Sequence, residues 1–290
     1  MPVVFVLIWS TGFIVARYGM PHAPPFGFLA IRYALSLLCL LLWIMWSRVA
    51  WPTSRDQWLH LCVTGILMHA LYLGGVWAAV KAGMGAGLSA LVVGLQPVLT
   101  GLWLTARGGA EDSVSRRQWA GLLLGFAGLA MVVSGKFDVN GPGDQANWLN
   151  MGLAVVALLA ITAGTLYQKR FVTPCDVRTA NAIQLAAAFA VTGPLALFES
   201  EAMHWNVQLA GAMAWSVLGL TVGGSSLLYL LIQRGAAASV TSLMYLVPPT
   251  TAVMAWVLFS EPITVATLAG TLITAVGVSL VVVRAQTVRA

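Results

Sequence analysis

The sequence predicts an all-α integral membrane protein of ten transmembrane helices, built as two inverted five-helix repeats. Composition is the first ground: of 290 residues, 59% are hydrophobic and 8% charged, with a mean hydropathy of +0.87. A soluble domain carries about 25% charged residues. So few charges cannot cover a water-facing surface, which sets aside the soluble enzyme, nucleic-acid-binding and disordered classes. Apolar residues and glycines together number roughly 200, and at about 20 residues per spanning helix they supply ten spans. The other two grounds are the distribution of positive charge and an internal repeat.

The spans follow from the breaks between apolar runs. The first, 2–20, is apolar from Met1, and MPVVFVLIWSTGF has neither a basic leader nor a small-residue cleavage site. It is expected to be a retained helix, not a removed signal peptide. Pro21, Pro24 and Pro25 close it and open the second span, 25–47. The stretch from Pro52 to Asp56 precedes the third, 57–80, and the fourth, 84–106, runs to the polar segment from Arg107 to Arg117. The fifth occupies 116–134, and Gly135 to Gln145 divides the halves. Spans at 147–169 and 178–198 flank Pro174 to Asp176, and 207–233, 236–259 and 263–284 complete the set. No break is long enough to hold a soluble domain.

Charge orients the bundle. With a cytoplasmic N-terminus, the inner loops and tail carry Arg48, Arg55, Arg107, Arg116, Arg117, Lys169, Arg170, Arg178, Arg234, Arg284 and Arg289. The outer loops carry Arg17, Lys81 and Lys136. Eleven against three is a strong positive-inside bias, and ten spans place both termini in the cytoplasm. Asp138, Asp144, Glu199, Glu201 and Glu261 all fall outside in the same arrangement. The net charge of +6 is therefore loop charge that orients helices, not a nucleic-acid-binding surface.

The halves repeat at an offset of about 150 residues. Pro97, Glu111, Gly121 and Gly128 have counterparts in Pro248, Glu261, Gly270 and Gly277. Ala30-Ile31-Arg32 aligns with Ala182-Ile183-Gln184, and Gly12 with Gly164, at an offset of 152. Residues 1–140 and 147–290 are the expected units. Five helices is an odd number, so the second unit enters the membrane from the opposite side, an architecture of alternating-access transporters.

The segments WSTGFIVARYG, FLAIRYALS, WAAVKAG, ALVVGLQPVLTGLWL and YLVPPTTAVMAWVLFSEPI resemble the drug/metabolite transporter superfamily in its ten-helix EamA-type branch. So do the paired glycines of spans five and ten, and the resemblance covers essentially the whole chain. One departure is the stretched acidic segment RGGAEDSVSRR, which leaves open whether Glu111 or Asp112 corresponds to Glu261. The resemblance implies ten helices in a bacterial inner membrane, both termini cytoplasmic, and efflux of amino acids or other small metabolites. Within the branch the chain is similar to bacterial aromatic amino acid exporters.

A polar group inside a span must find a partner or line a cavity, so each is a candidate for function. Trp9 and Thr11 lie in the first span, and His69 and Tyr72, three apart on one face, in the third. Gln96 lies in the fourth, Ser225 and Tyr229 in the eighth, and Ser242 and Tyr245 in the ninth. These nine are the expected substrate-binding residues. The plainer alternatives are hydroxyls bonded to their own backbone and a histidine that links helices. Arg32, within the second span, reads either as a structural pin or as a carboxylate-binding group. Pro97, Pro248 and Pro249 are expected to kink their helices and free carbonyls. Trp51, Trp58, Trp119, Trp148 and Trp205 read as interfacial anchors. Gly121-x3-Gly125 with Gly128, Gly83-x3-Gly87 and Gly219-x3-Gly223 are expected close-packing faces, with spans five and ten as scaffold or dimer face.

Absences narrow the function. No Asp or Glu falls in the middle of a span, whereas the superfamily's exporters of lipophilic cations use a buried carboxylate, so cationic drugs fit poorly. A zwitterion met by hydroxyls, amides and freed carbonyls fits better, and aromatic lining favours bulky or aromatic side chains. Coupling is open between facilitation and proton exchange through His69. An intramembrane protease would need a closing glycine that Gly223-Gly224-Ser225-Ser226 lacks. No clustered ligands promise a metal, Cys39, Cys62 and Cys175 have no redox or metal spacing, and no cofactor or catalytic residue is expected. An ion channel would show a ring of charge. The expected protein is an exporter of amino acids or, alternatively, of other metabolites or drugs. Its partners are a small-molecule substrate and the bilayer, as monomer or homodimer.

Overall fold

A computed structural model describes residues 2–107, 116–137, 146–224, 227 and 246–287. These are helical almost throughout, with no strand among the described residues. Ten spans run in order: α1 (Pro2–Gly19), α2 (Pro25–Ser47), α3 (Arg55–Lys81), a fourth in two segments, α4 (Ala86–Val93) and α5 (Gln96–Arg107), then α6 (Arg116–Phe137), α7 (Trp148–Phe171), α8 (Val177–Ala196), α9 (Val207–Gly224), α10 (Val247–Phe259) and α11 (Val265–Thr287).

Local chemistry sets the ends. Pro25 opens α2 at a first-turn position where its missing N–H costs nothing. Asn147 and Asn150 form a reciprocal capping box at the start of α7, and Asn206 caps α9 by accepting from the Leu209 amide at 2.8 Å. Gly83 turns the chain after α3 at φ +96°, which a side chain would strain. It is thus a turn glycine with open space around it, not half of a Gly83-x3-Gly87 packing face. The fourth span is interrupted at Gly94 and Leu95 and resumes at Gln96, so Pro97 sits in the first turn of a new segment. Pro248 and Pro249 likewise occupy the first turn of α10.

Packing obeys a two-fold rule that links the halves. Span five packs on ten, two on seven, and four on nine, each against its own counterpart. The contact of three with six is mirrored by eight with one, and that of three with seven by eight with two. A pseudo-two-fold axis relating two inverted five-helix units produces this pattern.

Glycine makes the five–ten seam possible. A Cβ on Gly277 would stand 2.5 Å from the Gly121 carbonyl oxygen, and one on Gly270 2.5 Å from that of Gly128. Since Gly121 corresponds to Gly270 and Gly128 to Gly277, the two contacts are images of each other. The glycine faces of α6 and α11 are turned on one another. At Gly219 and Gly223, by contrast, the nearest atoms among the described residues belong to their own helix, Trp215 and Leu218.

Outside, the bundle shows large apolar side chains, among them Leu42, Trp46, Leu123, Val156, Val257 and Leu272. An apolar exterior of this extent suits lipid. Four spans, α2, α3, α7 and α9, are each long and apolar enough to cross by themselves. The rest include shorter apolar stretches, and α8 turns polar residues inward.

Candidate functional site

A cavity of about 650 Å³ opens among spans one, two, three, six, seven and eight. Its mouth lies at the arginine-rich end, where Lys169 and the α7–α8 connection (Val172 to Cys175) line it. Gln57 ties that connection to α3: its Nε2 donates to the Thr173 carbonyl at 2.8 Å, and its Oε1 accepts from the Thr173 amide at 3.0 Å. One turn on, His60 Nδ1 and the Tyr167 hydroxyl lie 2.8 Å apart, joining spans three and six.

Asp176 caps α8 beside the mouth. Its Oδ1 accepts from the Arg178 amide and Nε, both at 2.9 Å, and its Oδ2 from Nη2 at 2.8 Å. The Arg178 hydrogen bonds hold this carboxyl below the usual range. Asp176→Ala is expected to cost about 1 kcal/mol, the usual worth of an N-cap. A carboxyl with a lowered folded value stabilises above its unfolded value near 4 and loses that stabilisation as pH falls through the folded one. The melting difference between wild type and Asp176→Ala is therefore expected at neutral pH and to close below about pH 4.

The far end is shut. Trp77 is fully buried and stacks on Phe28 with ring centroids 4.4 Å apart. Gly19 lies against both rings, where a Cβ would make contact at 3.4 Å. Beyond them Lys81 Nζ donates to the Met20 carbonyl at 2.8 Å and pairs with Glu201 at 2.5 Å. The Glu199 carboxylate accepts from the Phe26 and Gly27 amides at the start of α2, at 3.0 and 2.7 Å. Glu261 does the same for α4, accepting from Ala86 at 3.0 Å and Gly87 at 3.4 Å, with Arg17 Nε 3.8 Å away. Acids from the second half thus hold helix N-termini of the first, where the positive end of the helix dipole favours them.

At mid-depth the cavity gathers Trp9, Arg32, His69 and Tyr72 from the expected set. Local backbone explains part of this. Ile66–Leu71 in α3 is π-helical, as is Trp215–Gly224 in α9, the corresponding span of the other half. The extra residue of a π turn re-aims side chains, and such turns recur at functional sites. His69 and Thr221, one from each π segment, both reach the cavity. The Tyr33 hydroxyl donates to the His69 carbonyl at 2.8 Å, holding α2 to that segment. Close backbone approach does the rest: a Cβ on Gly65 would overlap the Gln184 carbonyl oxygen, and one on Gly164 would stand 2.6 Å from Met68 Cγ.

Other expected residues fall elsewhere. Thr11 bonds the Ile8 carbonyl of its own helix and accepts from Trp215 Nε1 at 2.8 Å, so it joins spans one and eight outside the cavity lining. Gln96 also stands behind the lining and donates to Thr165 Oγ1 at 2.8 Å, supporting a residue that does line it. Ser225, Tyr229, Ser242 and Tyr245 lie outside the described residues, as do Glu111 and Asp112. Among the residues that line the cavity, Lys169, Thr173 and Thr221 were not expected, whereas Asn181 and Gln184 are polar residues inside span seven and so candidates on the same rule as the nine. Gln184 carried a signal: it aligns with Arg32 in the repeat. No group of three or more potential metal ligands occurs among the described residues.

Comparison with known proteins agrees with this architecture. The EamA-like transporter family matches twice, over residues 2–134 and 148–283. The chain is 24% identical over 282 residues to the uncharacterized transporter YvbV of Bacillus subtilis (strain 168), covering 95% of this chain and 88% of that one. It is 25% identical over 245 residues to the uncharacterized inner membrane transporter YedA of Escherichia coli (strain K12), covering 83% and 76%. A probable amino-acid metabolite efflux pump of Salmonella typhimurium shares 23% identity over 167 residues, 57% of this chain and 51% of that one. A crystal structure with 17% identity superposes over 100% of this chain and 97% of its own, with a TM-score of 0.64, and shares the fold. With the family matched on both halves of a ten-span bundle, the chain belongs to the EamA-like transporters of the drug/metabolite transporter superfamily.

Proposed function

We propose that this protein is a secondary transporter that exports amino acids, aromatic or other neutral ones, and related small metabolites across a bacterial inner membrane. The observation that carries the reading is the cavity itself, which among the described residues is open at one end and sealed at the other by Trp77, Phe28 and the Lys81–Glu201 pair. The positive-inside bias puts the open mouth, and both termini, on the cytoplasmic side. The cavity is then poised to load from the cytoplasm. Alternating access follows if the repeat units 1–140 and 147–290 rock about the pseudo-two-fold axis, opening the sealed end as the mouth closes. Trp9, Tyr72 and Trp77 offer aromatic faces to a bulky side chain, and Asn181, Gln184 and Thr221 offer neutral hydrogen-bonding groups. The partial similarity to a probable amino-acid metabolite efflux pump supports the same substrate class.

Counterflow in proteoliposomes tests it. Vesicles loaded with unlabelled phenylalanine or tryptophan are expected to accumulate the labelled amino acid transiently, and Tyr72→Ala is expected to slow uptake about tenfold, or about 1.4 kcal/mol of lost interaction. Failure to move any labelled amino acid in either direction would sink the amino-acid reading.

A further inference from the structure

We propose that the cavity selects its substrate by a carboxylate bound to Arg32 and has no counterpart for an ammonium group, so that aromatic monocarboxylates are better ligands than the matching zwitterions or cations. This deepens the transport reading and rests on it for the identity of the site.

Arg32 is 7% exposed and lines the cavity. Its Nη2 makes one long bond, 3.5 Å to Thr221 Oγ1, and its Nε has no hydrogen-bond partner among the described residues. A guanidinium has five N–H donors and stays charged. Placed at membrane depth with so few acceptors, it is costly unless an anion completes it. The chain supplies none. Asp56 is exposed at the start of α3, Asp176 is forked by Arg178, and Glu199, Glu201 and Glu261 serve the sealed end. The stretch 225–245 contains no Asp or Glu, and Glu111, Asp112, Asp138 and Asp144 belong to connections between spans. The only other charged group lining the cavity among the described residues is Lys169 at its mouth, also positive.

The site is therefore a positive cavity with an aromatic wall. A planar carboxylate can take two parallel N–H···O bonds from a guanidinium, while Trp9 and Tyr72 border the space left for the body of the ligand. The corresponding position in the other half is Gln184, which also lines the cavity but carries no charge. Of the two aligned positions, the repeat thus gives a fixed charge to one only, on one side of the axis. An ammonium brought in with the carboxylate would find no acid among the described lining residues and add no ion pair.

Three probes that share a phenyl ring and a short chain separate charge from shape: 3-phenylpropionate (anion), phenylalanine (zwitterion) and phenethylamine (cation). Binding to the purified full chain in detergent is read by quenching of tryptophan fluorescence, since Trp9 and Trp77 line the site. The expected order is 3-phenylpropionate, then phenylalanine, then phenethylamine, with at least a tenfold span in Kd. Arg32→Gln is expected to remove the preference for the anion, and Arg32→Lys to keep it with weaker binding. Thr221→Val leaves the charge in place and is expected to weaken 3-phenylpropionate by a few-fold only. Equal or tighter binding of phenethylamine overturns the proposal. So does an unchanged order in Arg32→Gln, or no binding of any of the three. If Arg32→Gln does not fold, the wild-type order and Arg32→Lys decide. Phenylalanine counterflow without charge preference would defeat this inference and leave the transport reading standing. An anion preference in binding with no amino acid transported would do the reverse.

Discussion

Gly65→Val is expected to prevent stable assembly of the bundle, and Gly65→Ala to cost about 3 kcal/mol, the upper part of the range for overpacking a tight contact. The reason is what stands opposite. A Cβ on Gly65 would overlap the carbonyl oxygen of Gln184 and lie 2.6 Å from its Cα and 2.8 Å from its carbonyl carbon. These are backbone atoms of a regular helix, so no side chain can swing aside to make room. Spans three and seven would have to separate, and with them the α–π junction of α3, whose π segment begins at Ile66. Gln184 lines the cavity, so the same displacement distorts the site. Gly152→Ala is the matched control: it too is a helical glycine, but with open space at its Cβ, and there the higher helix propensity of alanine is expected to add up to about 1 kcal/mol. Thermal unfolding in detergent ranks the three variants, and a Gly65→Ala protein as stable as wild type would show that the close approach contributes nothing.

The spans were legible because membrane helices are written in long apolar runs with proline, glycine and charge at their ends. The capping asparagines at 147 and 206 and the prolines before α2 are local signals of the same kind. The repeat was legible because Gly121, Gly128, Gly270 and Gly277 keep one spacing for one packing reason. Partner choice was not. Thr11 and Thr221 are both threonines in apolar spans, yet one links to Trp215 and the other reaches the cavity beside Arg32. A hydroxyl states that it needs a partner, not which helix supplies it. The π segments were equally hidden, since ILMHAL and WSVLGLTVGG have the composition of ordinary helix, and the extra residue per turn is imposed by the neighbours. Gly83 and Gly87 had packing spacing, but a positive φ at Gly83 belongs to the turn after α3. Loop residues such as Thr173 carry no signal of this kind: a polar side chain is conspicuous only inside an apolar span, while the mouth is built from the connection between two spans.

Glu261→Ala is expected to destabilise the protein by about 3 kcal/mol, the low end of the cost of breaking a buried charge pair, because Arg17 is a quarter exposed and water takes up part of its charge. The carboxylate is 7% exposed and does three things at once. It accepts from the Ala86 and Gly87 amides, which begin α4 and have no acceptor within their own helix. It faces the positive end of that helix. It also joins the connection after α10 to spans one and four, and so closes the sealed end across the two halves. Glu261→Gln separates these roles, since its amide oxygen still accepts from a backbone N–H but carries no charge for Arg17 or the dipole. The expected loss for Glu261→Gln is about 2 kcal/mol, since the amide keeps a neutral cap worth about 1 kcal/mol. Thermal unfolding of both variants in detergent gives the comparison. Equal losses would assign the whole effect to charge, and a glutamine variant equal to wild type would assign it to the hydrogen bonds. If alanine itself matches wild type, Glu261 does not hold the sealed end, and its closure must come from Trp77, Phe28 and the Lys81–Glu201 pair alone.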